Sequence, residues 1–284
     1  MLSLPKRWSA EMTQGGEAWE RIAAALERMA PPPAPPTDWL AHPAYVWDGQ
    51  SARSIAELDA LPLERLHGID TQKQALRDLC GRLASGAAAH DVLLWGARGM
   101  GKSALVRAAV ADVQSDSPQA LALVQLAPGA LPGFPALIAE LAQQPRAFLL
   151  FIDDLGFGDD GRAEMLALRG LLDGGVAPRP AHIRIAVTAN RRAITMREDT
   201  SAALHERDER DDALALADRF GLTLGFHPAS RETFLAMVES YTAPLGLSVD
   251  AEEALAFAIQ RGNRSGRTAL QFATELAGRA GKRL

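Results

Sequence analysis

The 284-residue sequence predicts an α/β fold, a parallel sheet flanked by helices, with a small all-helical domain behind it. Three observations carry that expectation. Short, apolar, β-rich runs alternate with segments of helical period between residues 66 and 228. After His227-Pro228 the pattern turns purely helical. One glycine-rich string sits where an apolar run gives way to a helical segment. With 48% hydrophobic and 23% charged residues, the chain has the material for a substantial core, which excludes general disorder.

The chain opens with an amphipathic segment, residues 17–30, that sets Trp19, Ile22, Ala23, Leu26 and Met29 at helical spacing. Pro31-Pro32-Pro33-Ala34-Pro35-Pro36 stops that helix, because proline lacks an amide proton and fixes φ. The run reads as a short polyproline II spacer. Residues 1–60 form an N-terminal helical arm in this reading, one that either packs on its own domain or docks on a partner or a second subunit. Residues 61–228 form the α/β domain. Apolar runs at 91–96, 120–126, 147–152, 183–188 and 222–226 supply its five strands, and helical patterns at 71–84, 102–113, 135–143 and 162–172 connect them. Residues 229–284 hold three helices. The first covers 230–241, the second starts at Asp250 with Glu253 three places on and stops at Gly262, and the third covers 268–280.

Thirty Lys and Arg against thirty-five Asp and Glu leave a net charge of −5, a poor match to a protein that coats nucleic acid or anionic membrane. Residues 1–8 carry no apolar run of the signal-peptide kind. The densest apolar segment, 147–152, falls far short of the roughly 20 residues that span a bilayer. The single cysteine, Cys80, can form no internal disulfide. A cytoplasmic protein without a membrane partner is expected. The six histidines lack metal-ligand pairing, and no G-x-S-x-G string is present.

Gly96-Ala97-Arg98-Gly99-Met100-Gly101-Lys102-Ser103 fits G-x-x-x-x-G-K-[ST], with Val92-Leu93-Leu94-Trp95 as the strand before it and a helix from Ala104 after it. Such a loop turns backbone amides inward around phosphate oxygens. Lys102 is expected to reach the β- and γ-phosphates and the Ser103 hydroxyl to ligate Mg²⁺. The acidic counterpart is Phe148-Leu149-Leu150-Phe151-Ile152-Asp153-Asp154, a hydrophobic run ending in two carboxylates. Asp153 is expected to hold Mg²⁺ and Asp154 to polarise the attacking water. An aspartate is one methylene shorter than a glutamate, so Asp154 sits too far from that water unless the backbone adjusts.

With these strings in place, residues 62–280 resemble the AAA+ ATPases. Leu66-His67-Gly68-Ile69-Asp70 looks like the box that packs on adenine, with Ile69 as its apolar contact. Ala186-Val187-Thr188-Ala189-Asn190 resembles sensor 1, in which Asn190 would bond the γ-phosphate or the attacking water. Asp218-Arg219-Phe220-Gly221 looks like the arginine-finger box, whose arginine in that family reaches the nucleotide of the next subunit. Gly262-Asn263-Arg264-Ser265-Gly266-Arg267 stands where sensor 2 is expected, at Arg267 or else at Arg264. The resemblance implies a P-loop NTPase with a five-stranded sheet in the order 5-1-4-3-2, a helical lid, ATP and Mg²⁺ as ligands, and a homo-oligomer. It also implies that hydrolytic members usually carry Glu where Asp154 stands.

More narrowly, Gly68-Ile69-Asp70-Thr71-Gln72-Lys73, Leu93-Leu94-Trp95-Gly96-Ala97-Arg98-Gly99, Thr188-Ala189-Asn190-Arg191-Arg192 and Leu216-Ala217-Asp218-Arg219-Phe220-Gly221 resemble a bacterial ATP-binding family known as domain of unknown function 815. That family shares the double aspartate. The chain departs from it at Leu155-Gly156-Phe157-Gly158, where Leu-Ser-Phe-Glu is expected. The expected function is an ATPase whose nucleotide state moves lid and subunits against an unidentified protein partner. The alternatives are a weakly hydrolysing nucleotide switch and a DNA-associated loader, and the latter lacks a basic tract beyond Arg191-Arg192. The mixed-charge stretch 197–212 is either a solvated loop or an insertion that rearranges with nucleotide state.

Overall fold

The computed structural model describes residues 19–25, 36–156, 162–173, 178–190 and 215–284, in two units that divide between Pro36 and Thr37. In the first unit residues 19–25 are helical, with Trp19 71% exposed and Ile22 48% exposed. The remainder of the predicted 17–30 helix and the prolines at 31–35 lie outside the described residues, as do 157–161 and 191–214.

The second unit is organised by a seven-stranded sheet. In chain order its strands are β1 (Ala44–Trp47), β2 (Ala52–Ile55), β3 (Val92–Gly96), β4 (Leu121–Leu126), β5 (Ala147–Leu155), β6 (Ile183–Asn190) and β7 (Leu222–Phe226). They lie in the order β2-β1-β4-β5-β6-β3-β7. The five strands read from the sequence are parallel and adjacent, in the expected order 5-1-4-3-2 when read from β7 to β4. The expected strand number is corrected from five to seven. β1 adds in parallel to β4, and β2 folds back on β1 as an antiparallel hairpin, both from residues that the sequence assigned to the N-terminal arm. Each has only four residues, too few for an alternating pattern to stand out.

A buried arginine fastens this extension. Arg146, 4% exposed at the start of β5, donates to the carbonyls of Trp39 (3.1 Å), His42 (2.7 Å), Pro118 (2.9 Å) and Leu121 (2.9 Å), with a longer bond to Leu40 (3.4 Å). Its planar fork thus joins the segment leading into β1 to the one leading into β4. Gln114 adds bonds to Pro43 O and Leu121 O at 2.8 and 2.9 Å. Trp39 packs beside them, tilted against Tyr45 with ring centroids 4.8 Å apart and edge to face with Phe148 at 6.0 Å.

Both faces of the sheet are covered, so its central strands are largely apolar until their C-terminal ends. Val92 and Leu94 of β3 enter one core while Leu93 enters the other. The first core is closed by α1 (Asp70–Ala84) and α2 (Lys102–Asp116), the second by α3 (Phe134–Leu141) and α4 (Arg162–Leu172). Cys80 lies fully buried in α1, where loss of solvation pushes its thiol pKa up to about 12, so it stays protonated and unreactive. Three C-terminal helices, α5 (Arg231–Thr242), α6 (Ala251–Gln260) and α7 (Gly266–Arg279), add Phe234, Ala254 and Phe272 to the first core. Each begins at a side-chain cap: Ser230 accepts from Thr233 N, Asp250 from Glu252 N and Glu253 N, and Ser265 from Thr268 N. Among the described residues no helix is long and apolar enough to cross a membrane.

Replacing Arg146 by Met removes the guanidinium bonds to Trp39, Leu40, His42, Pro118 and Leu121 while keeping much of the side-chain volume. The expected cost is about 2–4 kcal/mol, measured as a lowered urea midpoint at unchanged slope.

Candidate functional site

The residues singled out by the sequence converge on the C-terminal edge of the sheet, the end where open α/β sheets offer a binding crevice. Strand register produces that convergence. Gly96 at the end of β3 pairs with Asn190 of β6 on one side and with Phe226 of β7 on the other. Gly96 has φ of 129°, and a Cβ there would lie 2.1 Å from Phe226 O, so only glycine allows the turn. The amide of Ala97 then donates to the same oxygen at 3.0 Å.

The loop closes into α2 at Lys102. No side chain caps this helix and its first turn holds no acid, which leaves the opening N–H groups and the positive end of the helix dipole to an anion. Lys102 is 8% exposed, and its Nζ donates to Gly96 O at 2.8 Å and Ala97 O at 3.0 Å. Burial pushes its pKa down, against the opposing pull of the Asp154 and Asp153 carboxylates. Gly99, with φ of 76°, touches the start of α7. Its carbonyl accepts from Arg267 N at 3.2 Å, and an added Cβ would meet Ser265 Oγ at 2.8 Å.

The two acids lie in a β-bulge. Between Ile152↔Val187 and Leu155↔Ala189 the β5–β6 register shifts, so Asp153 and Asp154 together stand opposite Thr188 alone. Asp154 has φ of 57°, the only positive φ of a non-glycine among the described residues, a conformation that costs roughly 1–2 kcal/mol. Thr188 is buried. Its Oγ1 donates to Asp153 Oδ1 at 2.7 Å and accepts from Asp154 N at 2.8 Å. Asn190 Nδ2 donates to Asp154 Oδ1. Ser103 Oγ donates to Asp153 Oδ1 at 2.6 Å, so the two residues expected to share Mg²⁺ are in direct contact. One hydroxyl and one carboxylate fit a small hard cation that takes its other ligands from water and phosphate. The described residues contain no cluster of three or more His, Cys, Asp or Glu that would hold a metal without such help.

These groups line one cavity of about 530 Å³ between the strand ends and the C-terminal helices. Arg98, Lys102, Ser103, Asp153, Asp154, Asn190 and Arg267 form its polar end. Leu61, Leu66, Ile69, Met237, Tyr241 and Leu270 give it an apolar part. Met100, Gly101 and Ala104 also reach it. A more open groove of about 750 Å³ lies between α1 and α2 at the opposite edge of the sheet, where Arg77 pairs with Asp112 at 2.7 Å.

Two of the predicted arginines lie elsewhere. Arg219 does not line the cavity: its Nε donates to Asp173 Oδ1 at 2.5 Å and its Nη1 to Ala215 O. Arg264 donates from Nε to Ala229 O at 3.1 Å, tying α7 to the segment before α5, whereas Arg267 faces the cavity. Arg191, Arg192, Phe157, Gly158 and the stretch 197–212 lie outside the described residues. Thr188, which in the sequence stands inside the sensor-1-like string with no role of its own, and the pair Arg65 and Tyr241 also belong to the site. The Arg65 guanidinium lies 5.0 Å from the Tyr241 ring centroid and donates to Ser240 O at 3.0 Å, walling the apolar part.

Residues 40–280 match a family described as a protein of unknown function, DUF815. No curated protein matches the sequence. Among solved structures, the chain is similar to the Thermotoga maritima RuvB Holliday junction branch migration motor, at 18% identity and a TM-score of 0.50, covering 78% of this chain and 66% of that one. The Aeropyrum pernix ORC1 protein in complex with DNA gives 13% identity and a TM-score of 0.55, over 76% of this chain and 61% of the other. The FIGL-1 AAA domain in complex with ADP gives 18% identity and a TM-score of 0.51, over 78% and 75%. The chain thus spans about two thirds of the length of the first of these. At such identities the likeness establishes the fold, that of an AAA+ P-loop NTPase.

A methyl group at Gly96 has no room beside Phe226 O. Gly96→Ala is expected to lower stability by about 3 kcal/mol or more, read from the urea midpoint of the ligand-free protein.

Proposed function

The chain belongs to the DUF815 family, and on that premise we propose that it is an ATPase of AAA+ type, using Mg²⁺, that works as a homo-oligomer and passes its nucleotide state to a protein partner. The observation that carries this reading is the single cavity in which a phosphate loop, two carboxylates and an asparagine meet an apolar part. An adenine ring suits the apolar part at Ile69, and the triphosphate suits the amides of residues 96–104 with Lys102 and Arg267 beside them. Ser103 and Asp153 would hold Mg²⁺, which when bound offsets charge on the β- and γ-phosphate oxygens.

Asp154 takes the proton of a water whose oxygen attacks the γ-phosphorus, while the bond to the ADP oxygen breaks and phosphate leaves. Asn190, bonded to Asp154, orients that water. Arg219 lies outside its own chain's cavity, which supports its donation to the nucleotide of a neighbouring subunit. In this reading residues 229–284 act as the lid, residues 61–228 together with the β1–β2 hairpin as the nucleotide-binding domain, and of the 1–60 segment only the part before Thr37 as an arm toward other chains. The net charge of −5 argues against nucleic acid as the partner, and no membrane partner is proposed; a cytoplasmic setting fits. One observation favours a second reading, a nucleotide switch with little turnover: the Asn190 bond already engages one oxygen of the Asp154 carboxylate.

Phosphate release per protomer, followed across protein concentration with bound nucleotide measured on the same samples, separates the two. A specific rate that rises with concentration supports the oligomeric ATPase; a flat, near-zero rate with ATP bound supports the switch. Lys102→Ala is expected to abolish binding or turnover. Arg219→Ala is expected to spare binding and cut turnover by about a thousandfold, and full turnover in that variant would remove the finger assignment.

The two candidate sensor arginines separate by different readouts. Arg267→Ala should weaken ATP binding about tenfold, or ~1.4 kcal/mol. Arg264→Ala should leave binding unchanged and lower stability by about 1 kcal/mol. Calorimetric titration and thermal unfolding check both.

A further inference from the structure

In an unbroken strand, consecutive side chains point to opposite faces, so two adjacent acids start out directed away from each other. Asp153 and Asp154 both line the cavity because the bulge sets the pair against one residue of β6. Asp154 Oδ1 accepts from Asn190 Nδ2, a bond that holds the side chain but not the backbone of the bulge. Asp154 carries the unfavourable positive φ, and Asp153 is engaged with Ser103. The group that does hold that backbone is the Thr188 hydroxyl, 1% exposed on β6. A threonine hydroxyl has one proton to give and lone pairs to accept with. Here the proton goes to Asp153 Oδ1, which orients the oxygen so that it accepts from Asp154 N. One atom therefore fixes the carboxylate of the first acid and the backbone of the second.

We infer that Thr188 is a positioning residue for Asp154: its hydroxyl pins the bulge and so sets where the Asp154 carboxylate meets the attacking water. The inference rests on the ATPase reading above. Without the hydroxyl, residue 154 relaxes toward ordinary extended backbone and its carboxylate leaves the cavity side. The phosphate loop does not pass through that amide and stays in place, and Asp153 keeps its bond from Ser103 while losing the one from Thr188. Turnover depends on Thr188 in this account, and nucleotide affinity does not.

The test compares Thr188→Val, which keeps the shape and loses the hydroxyl, with Thr188→Ser, which keeps the hydroxyl. Three quantities are read at a concentration where wild type is active: phosphate release, the Kd for ADP without added metal, and amide hydrogen exchange at Asp154 by NMR. For Thr188→Val, turnover should fall by about tenfold or more with the Kd within about threefold, and the Asp154 amide should exchange at least about tenfold faster. Thr188→Ser should stay within about twofold of wild type in all three. Should the valine variant not fold, Thr188→Ala carries the same expectations.

Wild-type turnover and slow exchange in Thr188→Val overturn the inference. So does a parallel loss of turnover, affinity and thermal midpoint in both Val and Ser variants, which is the mark of a packing role. A wild type that binds ATP yet releases no phosphate at any concentration removes the ATPase reading and this role with it. An active wild type matched by an equally active Thr188→Val removes this role alone.

Discussion

The structure turns on the closeness of two backbones at the end of β3. Gly96 lies against Phe226 with no space for a side chain, and the next amide bonds the same carbonyl. This contact makes β3 leave the sheet at one defined point, with its neighbour Asn190 level in the adjoining strand. The position of the loop, the starting point of α2 and the burial of Lys102 all follow from it. A parallel sheet aligns strand ends by register, so a fixed exit from one strand fixes the row on which the other groups stand.

How much of this was legible depends on whether the information is contiguous. The string from Gly96 to Ser103 and the pair Asp153-Asp154 are short, sit between recognisable strand and helix patterns, and could be read directly. The order of the five parallel strands was not in the residues themselves; it came with the family resemblance. The hairpin of β1 and β2 escaped because four-residue strands carry too little pattern, and because Arg146, the residue that secures them, lies some hundred positions away in the chain. Thr188 escaped for a related reason. A threonine inside an apolar strand reads as a β-branched core residue, and only the tertiary pairing reveals that its oxygen faces a bulge. The bulge and the positive φ at Asp154 were equally hidden, since neither leaves a mark in the local residue pattern.

The C-terminal helices touch the phosphate loop through backbone and small groups. Gly99 meets Ser265 and Arg267, and a Cβ at Gly68 would collide with Thr233 Cγ2 at 2.4 Å. Contacts of this type depend steeply on separation. A shift of a fraction of an ångström in the loop is therefore felt by α7, and one at Gly68 by α5, without any long side chain as intermediary. Arg267 stands at the centre of that contact, its backbone on the loop and its side chain lining the cavity, while Arg264 anchors the segment from behind.

The hairpin at the far end of the sheet has a consequence for how the protein keeps to itself. β4 is buried along almost its whole length, and its outer backbone edge would be an open template for another chain were β1 not paired to it. β2 then presents a four-residue rim whose Arg53 and Ser54 face solvent, a short and charged border that a foreign strand pairs with poorly. A truncated chain starting near residue 61, the domain boundary that the sequence suggests, would keep every group lining the cavity and lose this border. Its failing would be self-association through β4, with precipitation as the outward sign, even though the chemistry-bearing edge of the sheet had been left untouched.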